Sequence, residues 1–335
     1  MYSWRWSLKE IKQDKDINVF STFSCGGGSS MGYKRAGFKV LGNCEIDPRM
    51  NEIYLKNLHP RFNFLMDLRE FNKLDNLPEE LYHLDILDGS PPCSTFSTAG
   101  AREKGWGVEK TFREGQKKQR LDDLFFVFLD TVEKLRPKVV VAENVTGLLK
   151  GNAKGYVNEI IKRFHELGYN VQLFNLNSAY MDVPQKRERV FFIANNQKFS
   201  RLRLDFNNKL ITFGEIRSQK GKPVKGEKTR FLLSKMISTD HNLGDIQLRL
   251  NNKHTGFSQK INHDNEVAFT LVSGSTYYRA CDKMEMTDED IRFVQSFPYD
   301  YDFGKQSPHY ICGMSVPPNM MANIATEIYK QWFEK

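Results

Sequence analysis

Cys93 follows two prolines in LDILDGSPPCSTFSTAG, Leu84 to Gly100, a setting that could make it a nucleophile. A strand expected to end at Asp88 hands the chain to Pro91 and Pro92, which hold a rigid, extended path. A cysteine displayed on such a polar loop can meet a substrate, and its thiolate is the species that attacks. A buried small apolar residue is the other reading of a free cysteine. In KVVVAENV, Lys138 to Val145, an apolar strand delivers Glu143 and Asn144 to its end. A carboxylate beside a dry pocket can keep and supply a proton; a capping or ion-paired carboxylate fits that position equally. VPQKRERVFFIA, Val183 to Ala194, sets Arg187 and Arg189 two positions apart before a buried strand. They point the same way if the strand begins there and could grip a planar base or phosphates, or form a salt-bridge pair at a strand start.

A second kind of chemistry, ligand binding, is suggested by FSCGGGSSMGYKRAGF, Phe23 to Phe38. Three consecutive glycines between a strand and a helix let the backbone approach a ligand and expose amides at a helix start. Glu45 follows the next strand, at the distance where doubly wound folds place the acid that binds ribose hydroxyls. An adenosine-containing ligand, a dinucleotide or a purely structural turn would each suit this segment.

The elements that must position these residues alternate between residues 18 and 195. Strands are expected at Asn18–Ser24, Lys39–Cys44, His83–Asp88, Lys138–Glu143, Asn170–Leu176 and Val190–Asn195. Leu121, Leu124, Phe125, Phe128, Leu129, Val132 and Leu135 recur at threes and fours, with Pro137 as a stop. Val157, Ile160, Ile161, Phe164 and Leu167 mark another helix, ended by Gly168. The fold class is therefore α/β, a doubly wound, mostly parallel sheet covered on both faces. Residues 200 to 285 lack a long periodic helix and read as a separate loop-rich module with short strands. Order returns at Thr287, and Met321, Ile324, Ala325, Ile328 and Trp332 form the apolar face of a final helix after Pro317 and Pro318.

Bulk properties narrow the classes. No apolar run is long enough for a membrane span, and the N-terminal MYSWRWSLKE lacks the pattern of a signal peptide. The five cysteines, Cys25, Cys44, Cys93, Cys281 and Cys312, form neither a disulfide framework nor a CxxC metal pair. No metal is expected, and a reducing intracellular setting suits this cysteine usage. From Arg201 to Lys260 stand 13 Lys and Arg against 5 Asp and Glu, an excess of 8 that equals the whole chain's net charge of +8. Such a local excess suits a phosphate-backbone surface; a solvated lysine-rich face is the plainer reading.

In this order, the glycine turn, Glu45-Ile46-Asp47, Asp67-Leu68, Pro-Pro-Cys, Glu-Asn-Val and Gln-x-Arg-x-Arg together resemble the cytosine-5 DNA methyltransferase family. The likeness continues through TDEDIRFVQSFP, Thr287 to Pro298, and YICGMSVP, Tyr310 to Pro317. It implies a class I, Rossmann-like methyltransferase using S-adenosylmethionine and releasing S-adenosylhomocysteine. Catalytic roles would fall to Cys93, which adds to carbon 6 of cytosine, to Glu143 at ring nitrogen 3, and to Arg187 and Arg189. Cofactor roles would fall to Phe23, Ser24, Cys25, Gly26, Gly27, Gly28, Glu45, Ile46, Asp67, Leu68, Leu124 and Ser315. The implied domains are 1–200, catalytic and cofactor-binding, 201–285, target-recognising, and 286–335, a return to the catalytic domain. The implied partner is double-stranded DNA with the target base flipped out, with a cognate restriction endonuclease as a candidate second partner. A monomer in the cytoplasm of a bacterium or a phage-infected cell is expected, with no membrane partner.

The chain departs from the family pattern at Cys25, where the family usually has Gly, at Met314, where it has Asn, and at Phe293 and Glu289, where ion pairs are then expected to be absent. None of these touches Cys93 or Glu143. An RNA cytosine-5 methyltransferase on the same scaffold would use the same thiolate. A binding protein without activity would not need Cys93, Glu143 and both arginines, and a nicotinamide dehydrogenase would explain neither Pro-Pro-Cys nor QKRER.

Neutralising Lys220, Lys222, Lys225, Lys228 and Lys235 together is expected to weaken duplex binding. The slope of log affinity against log salt should flatten by about one unit for each phosphate no longer neutralised. An unchanged slope in a salt titration would make this stretch mere surface.

Overall fold

The computed structural model describes residues 1–92, 123–150, 153–252 and 259–334. By contact density the chain divides into two units. One comprises 11–176, 188–205 and 321–335; the other comprises 1–10, 177–187 and 206–320.

The first unit is built on strands β1 (Asn18–Thr22), β2 (Lys39–Glu45), β3 (Phe62–Leu65), β4 (Ile86–Gly89), β5 (Val139–Val145) and β6 (Asn170–Asn177). After the two-residue β7 (Gln185–Lys186), β8 (Glu188–Asn195) completes a seven-stranded sheet in the order β3-β2-β1-β4-β5-β8-β6. The first five of these in sequence pair parallel, whereas β8 runs antiparallel to β5. Val139, Val140, Val141 and Ala142 are fully buried, as a strand covered on both faces requires. The doubly wound, mostly parallel sheet expected from the sequence is therefore present. Strand order reverses between β1 and β4, the point outside whose carboxyl ends ligands bind in such folds.

Helices α1 (Gly28–Arg35), α2 (Pro48–Leu58), α3 (Leu68–Phe71), α4 (Leu124–Leu135) and α5 (Ala153–Glu166) connect these strands. Asp47 caps α2 by accepting from the Arg49 amide, with Pro48 at the first helical position. Gly168 closes α5 at a positive φ of 82°, as the stop signal predicted. The periodic residues Phe125, Phe128, Leu129 and Val132 of α4 are buried in one cluster with Phe20, Leu87, Val140 and Phe192. Leu121 lies outside the described residues. β3 was not expected, and the strand placed at His83–Asp88 is shorter: Glu79–His83 is a 3-10 turn and pairing starts at Ile86.

In the second unit, α6 (Phe213–Ile216), α7 (Glu227–Ser234), α8 (Leu243–Asn251), β9 (Ile261–Asn262), β10 (Ala268–Phe269) and β11 (Tyr278–Arg279) are all short. β7 pairs with β10, and β9 with β11. Leu232, Leu233, Leu243, Ile246, Ile261 and Tyr278 form a small core. α9 (Asp288–Val294) begins at a Thr287–Asp290 capping box, and α10 (Pro308–Met314) follows. α11 (Pro318–Ile328), which from residue 321 belongs to the first unit, starts on a proline, and Met321, Ile324, Ala325 and Ile328 are fully buried as its periodicity requires. Among the described residues no helix is long and apolar enough to cross a membrane.

Candidate active site

Three neighbouring strand ends of the parallel half carry the expected cofactor residues. After β1, the backbone turns through Phe23 at φ 51° and Cys25 at φ 45°, both left-handed, and Gly27 at φ 85°. A Cβ on Gly27 would be strained at this φ and would press on the Leu58 and Tyr54 side chains, so glycine suits the position. Cys25 adopts a conformation that glycine takes without cost, at a strain of order ~1 kcal/mol. The Ser24 hydroxyl accepts from Asn43 Nδ2 at 3.1 Å, and the Ser24 carbonyl accepts from the Gly27 amide at 2.8 Å; Gly26 and Gly28 are buried in the same turn.

Glu45, at the end of β2, clamps this turn. Its Oε2 accepts from the Cys25 amide at 2.7 Å and its Oε1 from the Asp47 amide at 2.9 Å. Burial pushes its carboxyl up, and the backbone amides oppose that rise. A carboxylate has about four lone-pair sites, so acceptor capacity is left for a ligand. Ile46 beside it is half-buried. After β3, Asp67 caps α3 through the Arg69 amide at 2.8 Å, and Arg69 also reaches Asp123 at 2.6 Å. Leu68 and Leu124 are buried in the same hydrophobic cluster.

On the other side of β1, β4 runs to Gly89. Cys93 lies outside the described residues, but the segment that leads to it is tied down: Asn144 Nδ2 donates to the Pro91 carbonyl at 3.1 Å. Immediately before Asn144, Glu143 Oε1 meets Arg189 Nε at 2.8 Å, with side chains only 11% and 15% exposed. The pairing follows from register. Glu143 stands opposite Phe191 and Val145 opposite Arg189 on the antiparallel β8, so the arginine falls next to the carboxylate diagonally.

Arg187 takes another course. The strand expected at Val190–Asn195 reaches back only to Glu188, and Gln185–Lys186 pairs separately with β10, so no one strand carries both arginines. Between them Arg187 is buried, and its Nη1 and Nη2 donate to the carbonyls of Leu271 and Gly313, each at 3.0 Å. Gln185, to which the sequence assigns no role of its own, is fully buried. It donates to Gln295 Oε1 at 2.6 Å, and Gln295 in turn donates to the Ser315 carbonyl at 2.7 Å. Ser315 Oγ is buried with no hydrogen-bond partner, an orphan a ligand could satisfy. Among the described residues no group of three or more His, Cys, Asp or Glu side chains is disposed to hold a metal ion.

The family model for C-5 cytosine-specific DNA methylase matches residues 17–330. The chain belongs to that family. It is 35% identical over 189 residues to the type II methyltransferase M.Sau96I of Staphylococcus aureus, covering 56% of this chain and 40% of the relative. To M.FnuDI of Fusobacterium nucleatum it is 35% identical over 178 residues, covering 53% and 46%. The chain thus spans less than half the length of these curated relatives. In fold it is similar to a prophage-encoded protein of Escherichia coli described as a DNA modification methyltransferase, with a TM-score of 0.68 at 20% identity over 95% of this chain and 100% of that one.

Replacing Arg189 by Ala leaves the largely buried Glu143 without its cation. The expected loss is about 3 kcal/mol, read as a lower denaturant midpoint. Glu143→Gln in the same background should recover part of it, and strictly additive losses in the double-mutant cycle would mean that the pair is not coupled.

Proposed function

We propose that this methylase transfers a methyl group from S-adenosylmethionine to carbon 5 of a cytosine within a specific double-stranded DNA sequence. The observation that carries the reading is the double anchoring at the end of β5. Glu143 is held by Arg189, and the next residue holds the Pro91 carbonyl, two positions before Cys93. A candidate proton donor and the root of the nucleophile's segment are thereby tied to one strand end.

In this reading Cys93, as the thiolate, forms a bond to carbon 6 of the ring. The electron pair of the 5,6 double bond moves to carbon 5 and toward ring nitrogen 3. Glu143 hydrogen-bonds or protonates that nitrogen, so that negative charge does not build up on the ring. S-Adenosylmethionine, when bound, supplies an electrophilic methyl group on its sulfonium. Carbon 5 would take that methyl group as the methyl–sulfonium bond breaks and S-adenosylhomocysteine leaves. The carbon 5 proton would then pass to a base, ring nitrogen 3 would return any proton to Glu143, and the bond between carbon 6 and Cys93 Sγ would break to restore the 5,6 double bond and the thiolate. Arg189 orients Glu143 and would hold the base's exocyclic oxygen. Arg187, whose guanidinium is engaged by two carbonyls, contributes by holding the backbone in place. Because the target atom is inaccessible in a duplex, the cytosine is flipped out.

The chain's own residues suit the methyl donor. The left-handed turn from Phe23 to Gly28 lets backbone approach the methionine part, and Glu45 keeps acceptor capacity for ribose hydroxyls beside Ile46. Asp67 and Leu68 would hold the adenine edge with Leu124 packing nearby, and in the other unit the orphaned Ser315 Oγ is a group a ligand could satisfy. Residues 1–200 and 286–335 form the catalytic and cofactor-binding part, and the basic 201–285 module recognises the target. We further assign the enzyme to bacterial or phage-infected cytoplasm, as a monomer, with a cognate restriction endonuclease as partner. The type II names of the relatives support that pairing.

Bisulfite sequencing of plasmid DNA from cells expressing the chain tests the reading. Protected cytosines should recur in one sequence context with the wild type, and Cys93→Ser should abolish them. Protection that survives in Cys93→Ser would overturn the assignment of the nucleophile. Methyl label found in tRNA and absent from duplex DNA would overturn the substrate.

A further inference from the structure

Asp88 is a buried carboxylate for which the chemistry above has no use. It is the penultimate residue of β4, is 2% exposed, and stands shortly before Pro91-Pro92-Cys93 in the chain. Donors converge on it from two other elements. From β1, Ser21 Oγ donates to Oδ2 at 2.8 Å, the two residues being opposite in register, and Thr22 Oγ1 donates to the Asp88 carbonyl at 3.1 Å. From α1, Tyr33 OH donates to Oδ1 at 3.3 Å, and Ser29 contributes a further side-chain hydrogen bond. Helix α1 is the one whose start is formed by the glycine turn, and Ser29 sits in its first turn.

Such convergence exceeds what strand pairing needs. The backbone ladder already joins β1 to β4, and an apolar side chain at this position would cost no desolvation. A buried carboxylate persists only where its hydrogen bonds are satisfied, and here they come from the turn's own helix.

We propose that Asp88 is a positioning residue for methyl transfer: its carboxylate fastens the strand that leads into the nucleophile segment to the helix that carries the cofactor turn. This rests on the function proposed above. The ionised form, which only accepts, satisfies every donor at once. Once protonated, one oxygen must donate, and a hydroxyl of Ser21, Ser29 or Tyr33 must turn away. Burial pushes the Asp88 carboxyl up to about 7, so the switch between the two arrangements falls within the working range of an enzyme. Three other ionisable groups bear on it. Glu143 on β5 acts as a like charge, itself neutralised by Arg189. Tyr33 has a phenol held well above its usual range, which keeps it a donor. Tyr54 on α2 feels the same carboxylate.

The test measures KM for S-adenosylmethionine in DNA methylation, and its Kd by calorimetry, from about pH 6 to 8.5, a range that brackets the Asp88 transition. In the wild type, donor affinity should fall as pH drops through about 7. Asp88→Asn should weaken donor binding about tenfold, the order of one charge-assisted hydrogen bond, and should flatten the pH dependence. Tyr33→Phe should weaken donor binding in the wild type and add nothing in Asp88→Asn. Wild-type donor affinity with an unchanged pH profile in Asp88→Asn, or an additive Tyr33→Phe effect, overturns the proposal. If Asp88→Asn does not fold, unchanged donor affinity in both Tyr33→Phe and Ser21→Ala overturns it as well. Should the wild type methylate no DNA, the proposed function fails, while the calorimetric series still decides the part played by Asp88.

Discussion

The pairing of Glu143 with Arg189 depends on one strand running backwards. β8 starts near Arg189 and runs antiparallel to β5, which ends just after Glu143, so the start of one strand meets the end of the other. Had β8 paired in parallel, Arg189 would lie at the opposite rim of the sheet, about 20 Å away at ~3.3 Å per residue. A long, fixed cation beside the carboxylate is thus a consequence of topology. It needs no special loop, and it lets a nearly buried acid exist where the parallel strands present their carboxyl ends.

Other costs collect at the same rim of this unit. Glu45 and Asp88 are buried carboxylates pushed up by desolvation, and Phe23 and Cys25 hold left-handed backbone. Each is met by a different means. Glu45 is held by two backbone amides, Asp88 by hydroxyls, and Glu143 by a guanidinium. Strain and desolvation concentrate where a site must be preorganised, while the sheet beneath them is plain: valines, phenylalanines and leucines packed on both faces.

Long periodic segments were legible in the sequence. The α4 and α5 faces, the Gly168 stop and the final helix follow from spacing, because a long amphipathic pattern outweighs local preference. β3 was not, since FNFL has four residues with a polar one inside, too short to separate from a loop. The direction of β8 was hidden too, because an apolar run bears no mark of its partner's sense. Arg187 and Arg189, read as pointing the same way, part company: a break at Arg187 sends the two-residue β7 and the eight-residue β8 to different sheets. Asn144 and Asp88 stood inside the motifs yet gave no signal of their roles, which arise from neighbours distant in sequence. The motif order along the chain showed the family, as the match over residues 17–330 confirms.

In the proposed function, covalent capture by Cys93 is the step on which the chemistry turns, and a duplex carrying 5-fluorocytosine at the methylated site tests it most directly. Fluorine blocks loss of the group at carbon 5, so with S-adenosylmethionine present the wild-type chain should remain bound to the strand through denaturing electrophoresis, and Cys93→Ala should not. A wild-type chain that methylates the ordinary duplex but forms no such adduct, or an adduct that persists in Cys93→Ala, would contradict the account.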